Sequence, residues 1–260
     1  MTSRETFASG GFSLLPLDEA VEIMRGSMGR ILPLYMVGVA PMSVAVFILI
    51  DAVAAGKYSA LPEGCALLAF GTVWKWAFCA VIQGRIQEGL TGKPAPPLRG
   101  RLPSIINARL AASMAMLWGS FVVIPPLYGF FLAGMAAPAL LDRGGRALDT
   151  AEWIVRWVTA SMGQAAKIAA AVGALFMVAH LGVTLLQMAL TQVVMPSMLG
   201  MDPTELELTL YGVEWQMAVG YFIFLLFDLY WTVAGVTLYY AIQSRRAGVD
   251  LGLRLKALIR

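Results

Sequence analysis

The chain predicts an all-α integral membrane helical bundle, and three observations predict it. Of its 260 residues, 59% are hydrophobic and 13% charged, whereas a soluble domain carries roughly 25% charged residues. The mean hydropathy is +0.73. The apolar residues run continuously, without the alternation over about ten residues that a membrane β-barrel needs. The basic residues stand in clusters between those runs. The expectation is about six transmembrane helices with amphipathic interfacial helices. Residues 17–243 form one transmembrane domain, between a cytoplasmic arm at 1–16 and a basic cytoplasmic tail at 244–260.

The arm holds Arg4 and Glu5 and no apolar stretch with a small-residue cleavage site, so no signal peptide is expected. In 17–29, Leu17, Val21, Met24 and Met28 recur at spacings of four, three and four, which is one helical face. Asp18, Glu19 and Glu22 stand in its first turns, where the helix dipole favours acids. This stretch is expected to lie flat at the cytoplasmic interface. Residues 31–55 read as the first span, with Pro41 as a kink and Asp51 and Lys57 at the far end. Residues 62–87 read as the second, with Lys75 between Trp74 and Trp76. Cys65 and Cys79 stand on that same helix, too far apart to bond to each other and without metal-ligand spacing. Arg85, Lys93, Arg99, Arg101 and Arg109 then cluster around a proline-rich loop.

Residues 110–141 carry no charge. One straight helix there would run to about 48 Å, against a hydrocarbon core of about 30 Å. Pro125-Pro126 stands in the middle and removes two backbone donors. The stretch is either one broken, tilted helix or a hairpin of two short spans. Charge favours the hairpin. Residues 142–167 carry Arg143, Arg146, Arg156 and Lys167, while 194–213 carry Asp202, Glu205 and Glu207 and no Lys or Arg. The tail carries Arg245, Arg246, Arg254, Lys256 and Arg260. A hairpin puts seventeen of the nineteen basic residues on one side, so the positive-inside rule predicts six spans with both termini cytoplasmic.

Residues 150–163 form a second amphipathic stretch, with Trp153, Ile154, Trp157, Val158 and Met162 as its apolar side. The fifth span is 168–195, followed by a helix start at 202–205. The last span starts at Glu214 and stops at Arg245-Arg246.

Lys75, His180 and Asp228 lie deep in the predicted spans, where ionisable groups tend to face the bundle interior and pair. A Lys75–Asp228 pair with His180 nearby is the sharpest expectation. His180, Thr184, Gln187 and Thr191 follow i, i+4, i+7, i+11 and share a helix face. The set reads either as structural glue between helices or as a polar pathway. A second candidate is the cytoplasmic basic face of Arg99, Arg101, Arg143, Arg146, Arg245 and Arg246, suited to anionic lipid head groups and a protein partner. One histidine leaves no two-His metal site, and no nucleophile elbow or phosphate loop occurs. The chain is therefore expected to be non-catalytic, without cofactor or metal, and not to bind nucleic acid.

The tail, Leu238-Tyr-Tyr-Ala-Ile-Gln-Ser-Arg-Arg-Ala-Gly-Val-Asp250-Leu, resembles the closing motif of a functionally uncharacterised group of bacterial multi-pass membrane proteins. So do the start, Leu17-Asp-Glu-Ala-Val-Glu-Ile-Met-Arg25, and Trp74-x-Trp76 with Gln87-x-x-Leu90 and Gly92-Lys93-Pro94. Members of that group are encoded beside a MoxR-type ATPase and a transglutaminase-like protein. They are distantly similar to the membrane domain attached to some glycerophosphodiester phosphodiesterases. The acid usual after the tyrosine pair is Ala241 here. The resemblance implies a scaffold or subunit of an envelope-associated assembly in the bacterial inner membrane, partnered by a protein of the same operon. A small transporter or lipid-handling protein is the other reading.

Overall fold

The computed structural model describes residues 14–94, 97–118, 124–189, 192, 197 and 213–247. The expected helix start at 202–205, Thr191 and the basic residues of 248–260 lie outside them. Seven α-helices follow one another among the described residues: α1 (Leu15–Ala54), α2 (Leu61–Thr91), α3 (Leu102–Trp118), α4 (Ile124–Arg143), α5 (Ala147–Ala160), α6 (Met162–Ala189) and α7 (Val213–Ala247). Short 3-10 turns stand at Tyr58–Ala60 and Leu98–Gly100. Four helical segments are long and apolar enough to cross a membrane: Leu15–Ala54, Tyr58–Thr91, Met162–Ala189 and Trp215–Gln243. The described residues are thus all-helical, and their four long apolar helices fit a multi-pass membrane protein.

The amphipathic lead-in at 17–29 is not a separate element, contrary to expectation. Ser27, Gly29 and Pro33 do not end the helix, and α1 continues for 40 residues. The buried face also differs from the expected one. Leu17, Ala20 and Ile23 are buried while Val21 is 51% exposed. The reason is a neighbour: the Thr237 hydroxyl reaches the Pro16 carbonyl at 2.8 Å and the Tyr230 hydroxyl reaches that of Leu17 at 3.4 Å. Contact with α7, not local periodicity, sets which side turns inward.

The described chain divides into two compact units, and all four long helices supply a segment to each. The first unit comprises 1–38, 75–169 and 229–260. Its centre is α4, buried continuously from Met135 to Leu141. Pro125 and Pro126 fall in the first turn of α4, where a missing N–H costs no intrahelical bond. α3 packs against α4 in antiparallel register. Gly129 faces Ala112 and Met116 at one end, and Arg101 faces Leu140, Leu141 and Gly144 at the other. α5 lies against both. It buries Thr150, Ile154, Trp157 and Val158, close to the expected apolar side, although Met162 already belongs to α6 and is exposed. Trp157 meets Phe131 edge-on at 5.3 Å and Trp153 meets Tyr239 at 5.7 Å, so this amphipathic face is spent on protein.

The second unit comprises 39–74 and 170–228. Here α1 and α2 form an antiparallel hairpin. A Cβ on Gly71 would stand 2.5 Å from the Met42 nitrogen, and one on Gly64 would meet Leu49. Gly56, at φ +66, closes α1: its N–H bonds Val53 O and that of Lys57 bonds Ala52 O, the paired bonds of a left-handed helix stop that glycine adopts without strain. α6 buries little: Leu175, Met177, Val178, Leu181, Leu185 and Leu186 are all exposed.

Candidate functional site: a buried polar junction and a basic end

α4 carries an internal proline, Pro138. Proline has no N–H, so the carbonyl four residues earlier, on Gly134, loses its helical donor. An interior carbonyl left so is costly. Gln83 of α2 supplies the replacement. Its Nε2 donates to Gly134 O at 3.0 Å and to Thr232 O of α7 at 2.8 Å. Its Oε1 accepts from Arg109 Nη2 of α3 at 3.3 Å. One fully buried glutamine therefore joins four helices. One turn on, Gln87 Nε2 donates to Pro138 O at 2.8 Å.

Backbones close in at the same place. A Cβ on Gly235 would overlap the Gly134 carbonyl, so the α4–α7 crossing there needs a glycine. One turn away Trp231 stacks on Phe130 at 3.8 Å, and its Nε1 donates to Phe130 O at 3.1 Å. These pairings fix directions within the first unit. α2 and α7 run with α4, and α3 runs against it.

The ends of these elements meet at one end of that unit. Tyr239 donates to Asp142 Oδ2 at 2.6 Å and accepts from Gln243 Nε2 at 2.8 Å, which brings the end of α7 to the end of α4. Thr237 brings the start of α1 to the same level. Arg99 and Arg146 are exposed there. Arg143 is exposed with its guanidinium 4.3 Å over the Trp153 ring. Arg245 and Arg246 stand in the last turns of α7. Arg101 differs from Arg99, Arg143 and Arg146: it is half-buried, and its Nη1 donates to the Leu140 and Leu141 carbonyls. It caps α4 and is not available as a surface charge.

The two units divide the predicted intramembrane trio. Lys75 belongs to the first and is 4% exposed. His180 and Asp228 belong to the second, both half-buried. His180 stacks on Phe176, with ring centroids 6.4 Å apart. Phe176 meets Phe227, the residue before Asp228, edge-on at 5.0 Å. Thr184 spends its hydroxyl proton on the His180 carbonyl at 2.9 Å, and Gln187 is buried. Tyr221 and Ser43, not singled out in the sequence, join their hydroxyls at 3.1 Å in this unit.

Sequence reasoning placed Arg109 beside the loop with the surface cations. It stands inside α3 and is 5% exposed, between buried Ala108 and Ala112. Gln83 was passed over too, and Gln87 entered only as part of the resemblance. Their i, i+4 spacing in an apolar run was the available signal. Among the described residues, no group of three or more His, Cys, Asp or Glu side chains is placed to hold a metal ion.

Comparison with known proteins found no match: no protein-family model, no curated protein and no solved structure.

Proposed function

We propose that the chain is a non-catalytic scaffold or assembly subunit of the bacterial inner membrane, with six spans, both termini cytoplasmic, and a basic cytoplasmic face. The observation that carries this reading is the basic end of the first unit, where Arg99, Arg143, Arg146, Arg245 and Arg246 gather. Such a face attracts anionic head groups, at about 1 kcal/mol per cation near the surface, and offers a docking surface to an acidic protein partner. Two further features support the topology. α3 and α4 form an antiparallel pair of 17 and 20 residues, about 25 and 30 Å long. The start of α1 stands level with Thr237 in the C-terminal half of α7. The resemblance of both ends to bacterial proteins encoded beside an ATPase and a transglutaminase-like protein suggests the partner's source.

Affinity purification of the full chain from native membranes tests the reading. A stoichiometric protein partner, lost when Arg99, Arg143 and Arg146 are changed together to glutamine, is the expected result. Recovery of the chain alone refutes it.

The second reading is a small transporter or lipid-handling protein. What favours it is the burial of Lys75 and Gln187 within long apolar helices. Single cysteines at 75, 180 and 228, probed with an impermeant thiol reagent, separate the two. Labelling favours a water-filled pathway, and silence favours packed structural polars.

A further inference from the structure

Arg109 is an interior group whose chemistry the scaffold reading does not use. Its guanidinium carries five N–H donors and is not deprotonated in proteins. A buried lysine can shed its charge by losing a proton; an arginine has no such exit. Gln83 Oε1 takes one donor at 3.3 Å. The others have no protein partner among the described residues, and Nε is sealed from solvent. No carboxylate pairs with Arg109 among those residues either; the ion pairs Lys57–Asp51 and Arg156–Glu152 lie elsewhere.

Water can occupy an N–H donor, but it does not neutralise a charge held in a low-dielectric interior. Such a charge is costly unless a counter-charge sits against it. Gln83 cannot turn to help, because both its amide protons are committed to Gly134 O and Thr232 O. That commitment holds its oxygen toward Arg109. The planar fork of open donors matches two oxygens of one oxyanion. Arg109 lies eight residues along α3 from Arg101, about 12 Å from the basic end that concentrates anions.

We propose that Arg109, with Gln83 as its positioning residue, is the binding site for one phosphate-type oxyanion inside the first unit. The phosphate comes from a phospholipid head group or from free phosphate. This goes beyond the scaffold reading and does not depend on it.

The test uses the purified full chain in a neutral detergent. Its thermal unfolding is followed while inorganic phosphate, short-chain phosphatidylglycerol or, as a control, short-chain phosphatidylcholine is titrated. A ligand that binds only the folded chain raises the midpoint in a saturable way. The expected result is a rise with phosphate or phosphatidylglycerol and none with phosphatidylcholine. Phosphate alone identifies a free-anion site, and phosphatidylglycerol alone a head-group site. R109M should weaken the apparent affinity by about tenfold or more, from the loss of charged hydrogen bonds. Equal shifts in wild type and R109M, or no shift in wild type, overturn the proposal. If R109M does not fold, the triple variant R99Q/R143Q/R146Q decides. A retained shift, with one bound anion by native mass spectrometry, supports the interior site. Loss of the shift assigns it to the surface and overturns it.

Discussion

Replacing Gln83 with leucine removes three hydrogen bonds and keeps the side chain's bulk. The Gly134 carbonyl then has no donor, because residue 138 is proline. Leaving such a buried acceptor unpaired costs about 1 to 3 kcal/mol, and the lost bond to a charged group, here Arg109, adds about 1.5 to 3 kcal/mol. Thr232 O keeps the helical donor of Val236 inside α7. The expected destabilisation is about 3 to 5 kcal/mol. Interhelical bonds in bilayers average only about 0.6 kcal/mol, which sets a floor near about 2 kcal/mol for three of them. The seven tryptophans, Trp231 at the junction among them, give a fluorescence signal for unfolding by sodium dodecyl sulfate. The decisive experiment adds Pro138→Ala. Alanine restores an N–H four residues after Gly134. In wild type that carbonyl is already bonded, so P138A alone should change little. Combined with Q83L it should recover about 1 to 2 kcal/mol. Distant, independent substitutions add within about 0.3 to 0.5 kcal/mol. Additivity of Q83L and P138A within that range would refute the claim that the glutamine substitutes for the donor proline removed.

Four further outcomes follow from the same geometry. Gly235→Ala drives a methyl group into the Gly134 carbonyl and should lower stability by about 1 to 3 kcal/mol, whereas Gly220→Ala, which meets nothing, should be neutral or stabilising in the same denaturant titration. Tyr239→Phe removes the donor to Asp142 and the acceptor of Gln243; a loss of about 1 to 2 kcal/mol is expected, together with faster hydrogen exchange at the end of α7. Asp51→Asn breaks an ion pair whose two side chains are 71% and 64% exposed, so its midpoint should shift by less than about 0.5 kcal/mol. In a background lacking Cys65 and Cys79, cysteine at position 126 should react with an impermeant reagent from the side opposite to cysteine at position 99; reaction from the same side refutes the hairpin as a crossing pair.

The sequence by itself determined the fold class and the long helices. Apolar runs of span length and basic clusters between them are local properties, and the expected spans 31–55, 62–87, 168–195 and 214–243 each overlap one of the four long helices, with 190, 191 and 193–195 outside the described residues. The double proline stands in the first turn of α4, because a missing donor is tolerated there and costs a bond inside a helix. Tertiary structure decided what local pattern could not. The lead-in turned a different face inward because α7 lies against it. The apolar side of α5 met Phe131 and Tyr239, although a stripe of that kind is the same whether lipid or protein covers it. Arg101 became a helix cap and Arg109 an interior charge, although both read as loop cations. The junction at Gln83 was invisible for the same reason. It joins residues 26, 51 and 149 positions away, and which carbonyl lacks a donor, and which amide reaches it, depends on helices that meet only in the folded chain.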